Sequence, residues 1–142
     1  MTLSKQAPLF ELPYIHNHSS IYKLEEDLGK VIVLTFWASW CPDCGKDLPM
    51  KEQLFKTMDH DKVKMMTINV TGRERKIEEG IEFKEKFLTQ PTLSDEGRYV
   101  YDLYNCDGVP STIIINQQGE IHANFGDQSS FLDIVSKLGE IV

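Results

Sequence analysis

The run Val31–Trp37, VIVLTFW, constrains the fold more than any other stretch, because its seven residues are β-branched, aliphatic or aromatic with no polar alternation. Such a run suits a strand buried on both faces, and only the interior of a sheet with helices on each side provides that environment. Four residues on comes CPDC, so the strand leads directly to Cys41 and Cys44.

The flanking sequence alternates strands and helices. Residues 7–24 read as a short hairpin with a polar turn at residues 17–20, and Gly29 reads as a helix C-cap just before the apolar run. After Cys41, Met50, Leu54 and Met58 recur at four-residue spacing beside Phe55, which predicts an amphipathic helix over 42–58. Pro42 suits its first turn and Pro49 lies inside it. Residues 62–70 predict a second strand, and 73–88 a helix buried through Ile77, Ile81 and Leu88. Residues 111–116 and 120–126 flank the turn signal QQG and predict a hairpin, while Phe131, Ile134, Val135 and Leu138 mark a closing helix. The expected result is an α/β sandwich around a mostly parallel sheet that ends in a hairpin.

At 142 residues the chain fits one domain, 1–142, long enough to form a core without staples. Fifteen Lys and Arg against 22 Asp and Glu give a net charge of −7, which repels phosphate backbones and argues against a nucleic-acid partner. The N-terminus has neither the basic start nor the apolar run of a signal peptide. As the sequence stands it reads as cytoplasmic; an anchor ahead of it would place the protein outside the cytoplasm instead.

Three cysteines are too few for a disulfide scaffold. Zinc usually needs four ligands, and here a single CxxC is joined by a distant Cys106 and four scattered histidines, so no metal is expected. A structural disulfide across so small a loop gains little. Redox chemistry fits better: a cysteine closing a strand-to-helix loop sits where unpaired amides and the helix dipole favour its thiolate. Cys41 is therefore the nucleophile, and Cys44, one turn on and less exposed, the resolving thiol. Cys106 reads as a buried, inert thiol. The charged run 73–79 reads as a solvated helix face.

FWASWCPDC, followed by GVPSTIIIN ahead of a hairpin and a final helix, resembles the thioredoxin superfamily over nearly the whole chain. With APLFELP and YKLEEDLGKVIVL before the motif, it is more similar to the TlpA/ResA-like thiol-disulfide oxidoreductases than to plain thioredoxins. The resemblance implies a thioredoxin-like α/β/α sandwich with a central mixed sheet and an extra N-terminal β-hairpin. It also implies that Pro110 is a cis-proline facing the cysteines and that Val109 offers its backbone to a substrate strand. Trp40 and Pro42 border the same surface, whereas Trp37, ending the buried strand, belongs to the core.

Thioredoxins carry a buried aspartate where this chain has Thr35, which cannot act as a base near neutral pH. Asp47, on the face of Cys44 and at the place of the branch's glutamate, is the candidate proton acceptor. Asp43 between the cysteines opposes thiolate stabilisation, so the couple is expected nearer ~−270 mV than the ~−120 mV of a strong oxidant. The implied activity is reduction of protein disulfides by a monomer recharged by a thiol donor, with the Cys41–Cys44 disulfide as the only redox group. The alternatives are a Cu/Zn carrier that uses the thiol pair and a thiol peroxidase. The peroxidase plan calls for Thr and Pro where this chain has Ala38 and Leu34.

Overall fold

The computed structural model describes residues 5–142. Its strands are β1 (Glu11–Tyr14), β2 (Asn17–Lys23), β3 (Val31–Trp37), β4 (Val63–Asn69), β5 (Thr92–Ser94), β6 (Ser111–Ile115) and β7 (Ile121–Phe125). They form one sheet in the order β2-β1-β5-β4-β3-β6-β7. The helices are α1 (Pro42–Thr57), α2 (Ile77–Phe87), α3 (Tyr99–Leu103) and α4 (Phe131–Gly139).

Every residue of β3 is buried, as its sequence requires, and β3 lies between β4 and β6. The sheet is mixed rather than mostly parallel: β4 runs parallel to β3 and β5, and the remaining pairs are antiparallel. Alternate residues of β3 face opposite layers. Val31 and Val33 meet Ile134 and Leu138 of α4 and the end of α1, and Trp37 meets Phe83 of α2, ring centroids 4.9 Å apart. On the other side Phe36 packs against Tyr101 of α3 and against Tyr104.

The N-terminal hairpin is present, but its turn lies at Ile15 and His16, not at residues 17–20. Those polar residues belong to β2, an edge strand exposed along nearly its whole length, so polarity there reflects solvent rather than a turn. Gly29, at φ +106°, does not cap an α-helix: it follows a single 3-10 turn, Leu24–Asp27, whose C-cap is Leu28. Ile77 is corrected: it is exposed, and α2 instead buries Gly80, where an added methyl would collide with the Asn69 amide.

The larger correction concerns α1. Met50 is exposed and Leu54, Phe55 and Met58 are half-buried, whereas the buried stripe is Cys44, Asp47, Leu48, Lys51 and Glu52. That stripe has helical spacing, but three of its five members carry charge. Buried charges need partners, and both ends find them. Lys51 reaches the Thr112 hydroxyl on β6. Glu52 accepts bonds from the Thr89 amide (2.9 Å) and hydroxyl (2.6 Å) and from the Gln90 amide (3.2 Å) and side chain (3.0 Å).

Beneath α1, four buried threonines make one rung across the sheet: Thr112, Thr35, Thr67 and Thr92. Paired neighbours share a face, so the hydroxyls line up. Trp37 Nε1 donates to Thr67 Oγ1 (2.9 Å), which lies 2.8 Å from Thr92 Oγ1, which in turn donates to the Gln90 carbonyl (3.1 Å).

Burial opposes the Glu52 charge, but the bonds from Thr89 and Gln90 outweigh it and hold the carboxyl below its usual range. A carboxyl depressed by folding contributes stability above its unfolded pKa, and the contribution is lost as pH falls through the folded value. Glu52→Gln is expected to cost about 1–3 kcal/mol at pH 7. Urea midpoints should show this gap, and it should close as the pH drops below about 4.

Candidate active site

The site is made where β3 hands the chain to α1. Cys41 is the N-cap residue of α1, Pro42 follows at the first helical position, and Cys41 Sγ accepts the Cys44 amide hydrogen at 3.2 Å. That bond satisfies a free helix-end donor and places positive dipole density on sulfur. The Cys41 thiol also donates to the Val109 carbonyl at 3.4 Å. Val109–Pro110 is a cis peptide bond, and the loop carrying it lies against Cys41. The structure thus brings together Cys41, Cys44 and Val109, with Pro110 joined to Val109 through the cis bond.

The two thiols differ in environment. Cys41 keeps 7% of its surface exposed, whereas Cys44 has none. Burial, then the bond with Cys41, and further the charges of Cys41 and Asp47 push the Cys44 thiol far up, with a bond from the Ala38 backbone opposing. Cys44 therefore needs help to lose its proton. Cys106 is half-buried in the loop before Pro110, and its thiol is pushed up to about 12, first by burial and then by Asp95 and Asp102, against a lowering bond from Ser111.

Asp47 is on the buried face of α1 with Cys44, as its spacing requires. Sequence reasoning missed its neighbour. Lys51 is fully buried, with Nζ 2.8 Å from Asp47 Oδ2, in an ion pair rather than a well-aligned hydrogen bond. No hydropathy signal marks a lysine for burial, and only the i, i+4 spacing from Asp47 hinted at the pair. Thr35 is buried on β3, and its hydroxyl finds no partner among the described residues.

Trp40 is 38% exposed, and its Nε1 donates to the Arg73 carbonyl. The Arg73 guanidinium lies over both the Trp40 and Tyr101 rings and donates to the Tyr101 hydroxyl at 2.8 Å. Trp40 is thus a fixed, half-open platform next to Cys41, and Pro42 is exposed beside it. Trp37 is fully buried.

The run 73–79 is more than a solvated face. Glu74 accepts from the Ser39 amide (2.7 Å) and hydroxyl (2.6 Å) and from Asn69 Nδ2 (2.7 Å), tying the loop before Cys41 to the end of β4. Nothing local in the sequence links residues 35 positions apart. Among the described residues, no group of three or more His, Cys, Asp or Glu converges in a way that would hold a metal ion. Glu74→Ala is expected to raise amide exchange at Ser39 by about tenfold, since its acceptor is gone. Unchanged protection at Ser39 would mean that the loop is held by other contacts.

The AhpC/TSA family model matches residues 3–124. Over 122 residues the chain is 29% identical to the thiol-disulfide oxidoreductase ResA of Geobacillus kaustophilus, covering 85% of this chain and 67% of that protein. It is 32% identical to ResA of Oceanobacillus iheyensis over 81% of this chain and 60% of that one. The chain therefore spans about two thirds or less of these relatives. Among solved structures, a thiol:disulfide interchange protein of the thioredoxin family from Chlorobium tepidum superposes with a TM-score of 0.81 at 18% identity, over 99% of this chain and 97% of that one. That likeness establishes the fold as thioredoxin-like, with the hairpin β1-β2 added at the edge of the sheet. The chain belongs to the AhpC/TSA family, built on a thioredoxin-like fold, with ResA-type thiol-disulfide oxidoreductases as its relatives.

Proposed function

We propose that the protein reduces disulfide bonds in other proteins through the Cys41–Cys44 dithiol. The observation that carries this is Cys41 Sγ at the head of α1, bonded to the Cys44 amide and set against the Val109 carbonyl. A sulfur so placed faces the positive end of a helix dipole and lies beside backbone that an extended substrate can pair with.

The chemistry runs in two displacements. The Cys41 thiolate attacks one sulfur of the substrate disulfide, the substrate S–S bond breaks, and the departing thiolate takes a proton from water. Cys44 then gives up its proton and its sulfur attacks Cys41 Sγ. The mixed disulfide breaks, the second substrate sulfur leaves as thiolate, and the protein holds the Cys41–Cys44 disulfide. Two electrons pass to the substrate, and a thiol donor restores the dithiol. Asp47 receives the Cys44 proton, since it shares the buried face and Thr35 is no base. Trp40 and Pro42 supply the outer rim on which the substrate rests, and a single copy holds all these parts.

Iodoacetamide at pH 7.5 is expected to label Cys41 alone, because burial keeps Cys44 and Cys106 protonated. Labelling of Cys106 at a matching rate would assign the nucleophile wrongly. The protein should also speed reduction of insulin by dithiothreitol, and Cys41→Ser should abolish that effect. Full activity in this variant would remove the dithiol mechanism.

A further inference from the structure

Lys51 lies on the buried α1 stripe one turn beyond Asp47, and the mechanism above gives it no role. Its ammonium is taken wholly out of water, a position that costs several kcal/mol unless another charge compensates. It touches Asp47 Oδ2 and the Thr112 hydroxyl, which leaves its charge beside the group that receives the Cys44 proton. We infer that Lys51 is a positioning residue for the resolving step: it is the fixed counter-charge to whichever of Asp47 and Cys44 is the anion. The inference rests on the dithiol reading above and extends it.

Charge stays balanced in this closed space throughout the transfer. Before transfer the pocket holds a Cys44 thiol, an Asp47 carboxylate and the Lys51 ammonium, and its net charge is zero. After transfer it holds a Cys44 thiolate, an Asp47 carboxylic acid and the same ammonium, and its net charge is again zero. No net charge is created where solvent cannot screen it, so the proton moves without the penalty of an unbalanced buried ion. When the thiolate attacks Cys41 Sγ, its electron pair enters the new S–S bond and the negative charge leaves with the substrate sulfur. Asp47 then returns its proton to solvent or to that leaving thiolate, and the Asp47–Lys51 pair is restored.

The surroundings leave Lys51 to serve these two anions. Asp47 and Cys44, both of its own helix, are the titratable groups that act on it. The sheet beneath contributes Thr112 from β6 and Thr35 from β3, neither of which titrates in this range. From α4, Ile134 and Leu138 point inward. Burial lowers the Lys51 ammonium, while the Asp47 charge and bond, and then the Cys44 charge, pull it back. Glu52, next in sequence, is committed to Thr89 and Gln90 on the other side. Thr112 fixes where the ammonium sits, so the cation stays put while the proton moves between its neighbours.

The test mixes reduced protein with 5,5′-dithiobis(2-nitrobenzoate) in a stopped-flow instrument. The first nitrothiobenzoate is released by Cys41 attack at a rate that depends on reagent concentration. The second is released by Cys44 attack at a rate that does not. Lys51→Met keeps length and removes charge. It is expected to slow the second release at pH 7 by on the order of 10- to 100-fold and to move the midpoint of its pH profile up by about one unit or more. A second-release profile that matches wild type in rate and midpoint would overturn the inference. Absence of any first release from the wild-type protein would instead sink the dithiol reading itself.

Lys51→Met leaves a carboxylate without its partner and can cost enough stability to prevent folding. Asp47→Asn/Lys51→Met avoids this by removing both charges. Relative to Asp47→Asn alone, its second release is expected to be slowed by less than Lys51→Met slows the wild type, because the cation has lost the carboxylate it serves and keeps only the Cys44 thiolate. Losses that multiply would show that Lys51 acts independently of Asp47 and would overturn the proposal.

Discussion

The buried Lys51 ammonium, paired within α1 to Asp47 and bonded across to Thr112 of β6, holds α1 on the sheet at the place where the cysteines emerge. An apolar helix face slides over an apolar sheet at little cost, but a buried charge has few places where it can be satisfied. Lys51 points to β6 and Glu52 to the loop ahead of β5, toward opposite sides of α1. With both tied, the helix has one rotation about its axis and one height over the sheet. Both settings pass directly to Cys41 and Cys44 in its first turn. The cost of burying three charged side chains thus fixes the direction in which two sulfurs face.

The loop into α1 is held with comparable care from the other end. Glu74 fastens Ser39 to Asn69, and Arg73 sits over Trp40 while bonded to Tyr101. Tyr101 belongs to α3, across the sheet from α1, and it packs on Phe36 of β3. The platform beside Cys41 is thereby connected to both layers, and Cys41 has little freedom to leave the N-terminal end of α1.

What could be read from the sequence follows from how each feature is encoded. The buried strand Val31–Trp37 and the dithiol after it were legible because the run is continuous in apolar character and the spacing is local. Thr35 stood out because a family position was unfilled. The buried face of α1 was not legible, since hydropathy assigns Lys51 and Glu52 to solvent and only their distant partners reverse that. Strand β5 has three residues and α3 five, too short to show a period. Polar residues 17–20 resembled a turn because an edge strand and a turn ask for the same solvent-facing side chains. The role of Glu74 depends on Ser39, which the fold alone brings close.

The N-terminal hairpin meets the rest of the sheet through one register pair, Tyr14 with Leu93, and one further bond from the Ile15 amide to the Thr92 carbonyl. Ahead of the hairpin, residues 5–7 bond to the chain entering β7, from the Ala7 amide to the Gly119 carbonyl (2.9 Å) and from the Ile121 amide to the Lys5 carbonyl (2.8 Å), and Phe10 packs on Tyr104, whose hydroxyl donates to the Pro8 carbonyl. The chain ahead of β3 is therefore fastened at two places, by residues 5–7 to the β7 edge of the sheet and by β1 to β5 near the other. Residues 5–14 thus cross the sheet as a strap, and freeing that strap means breaking backbone bonds at both of its ends.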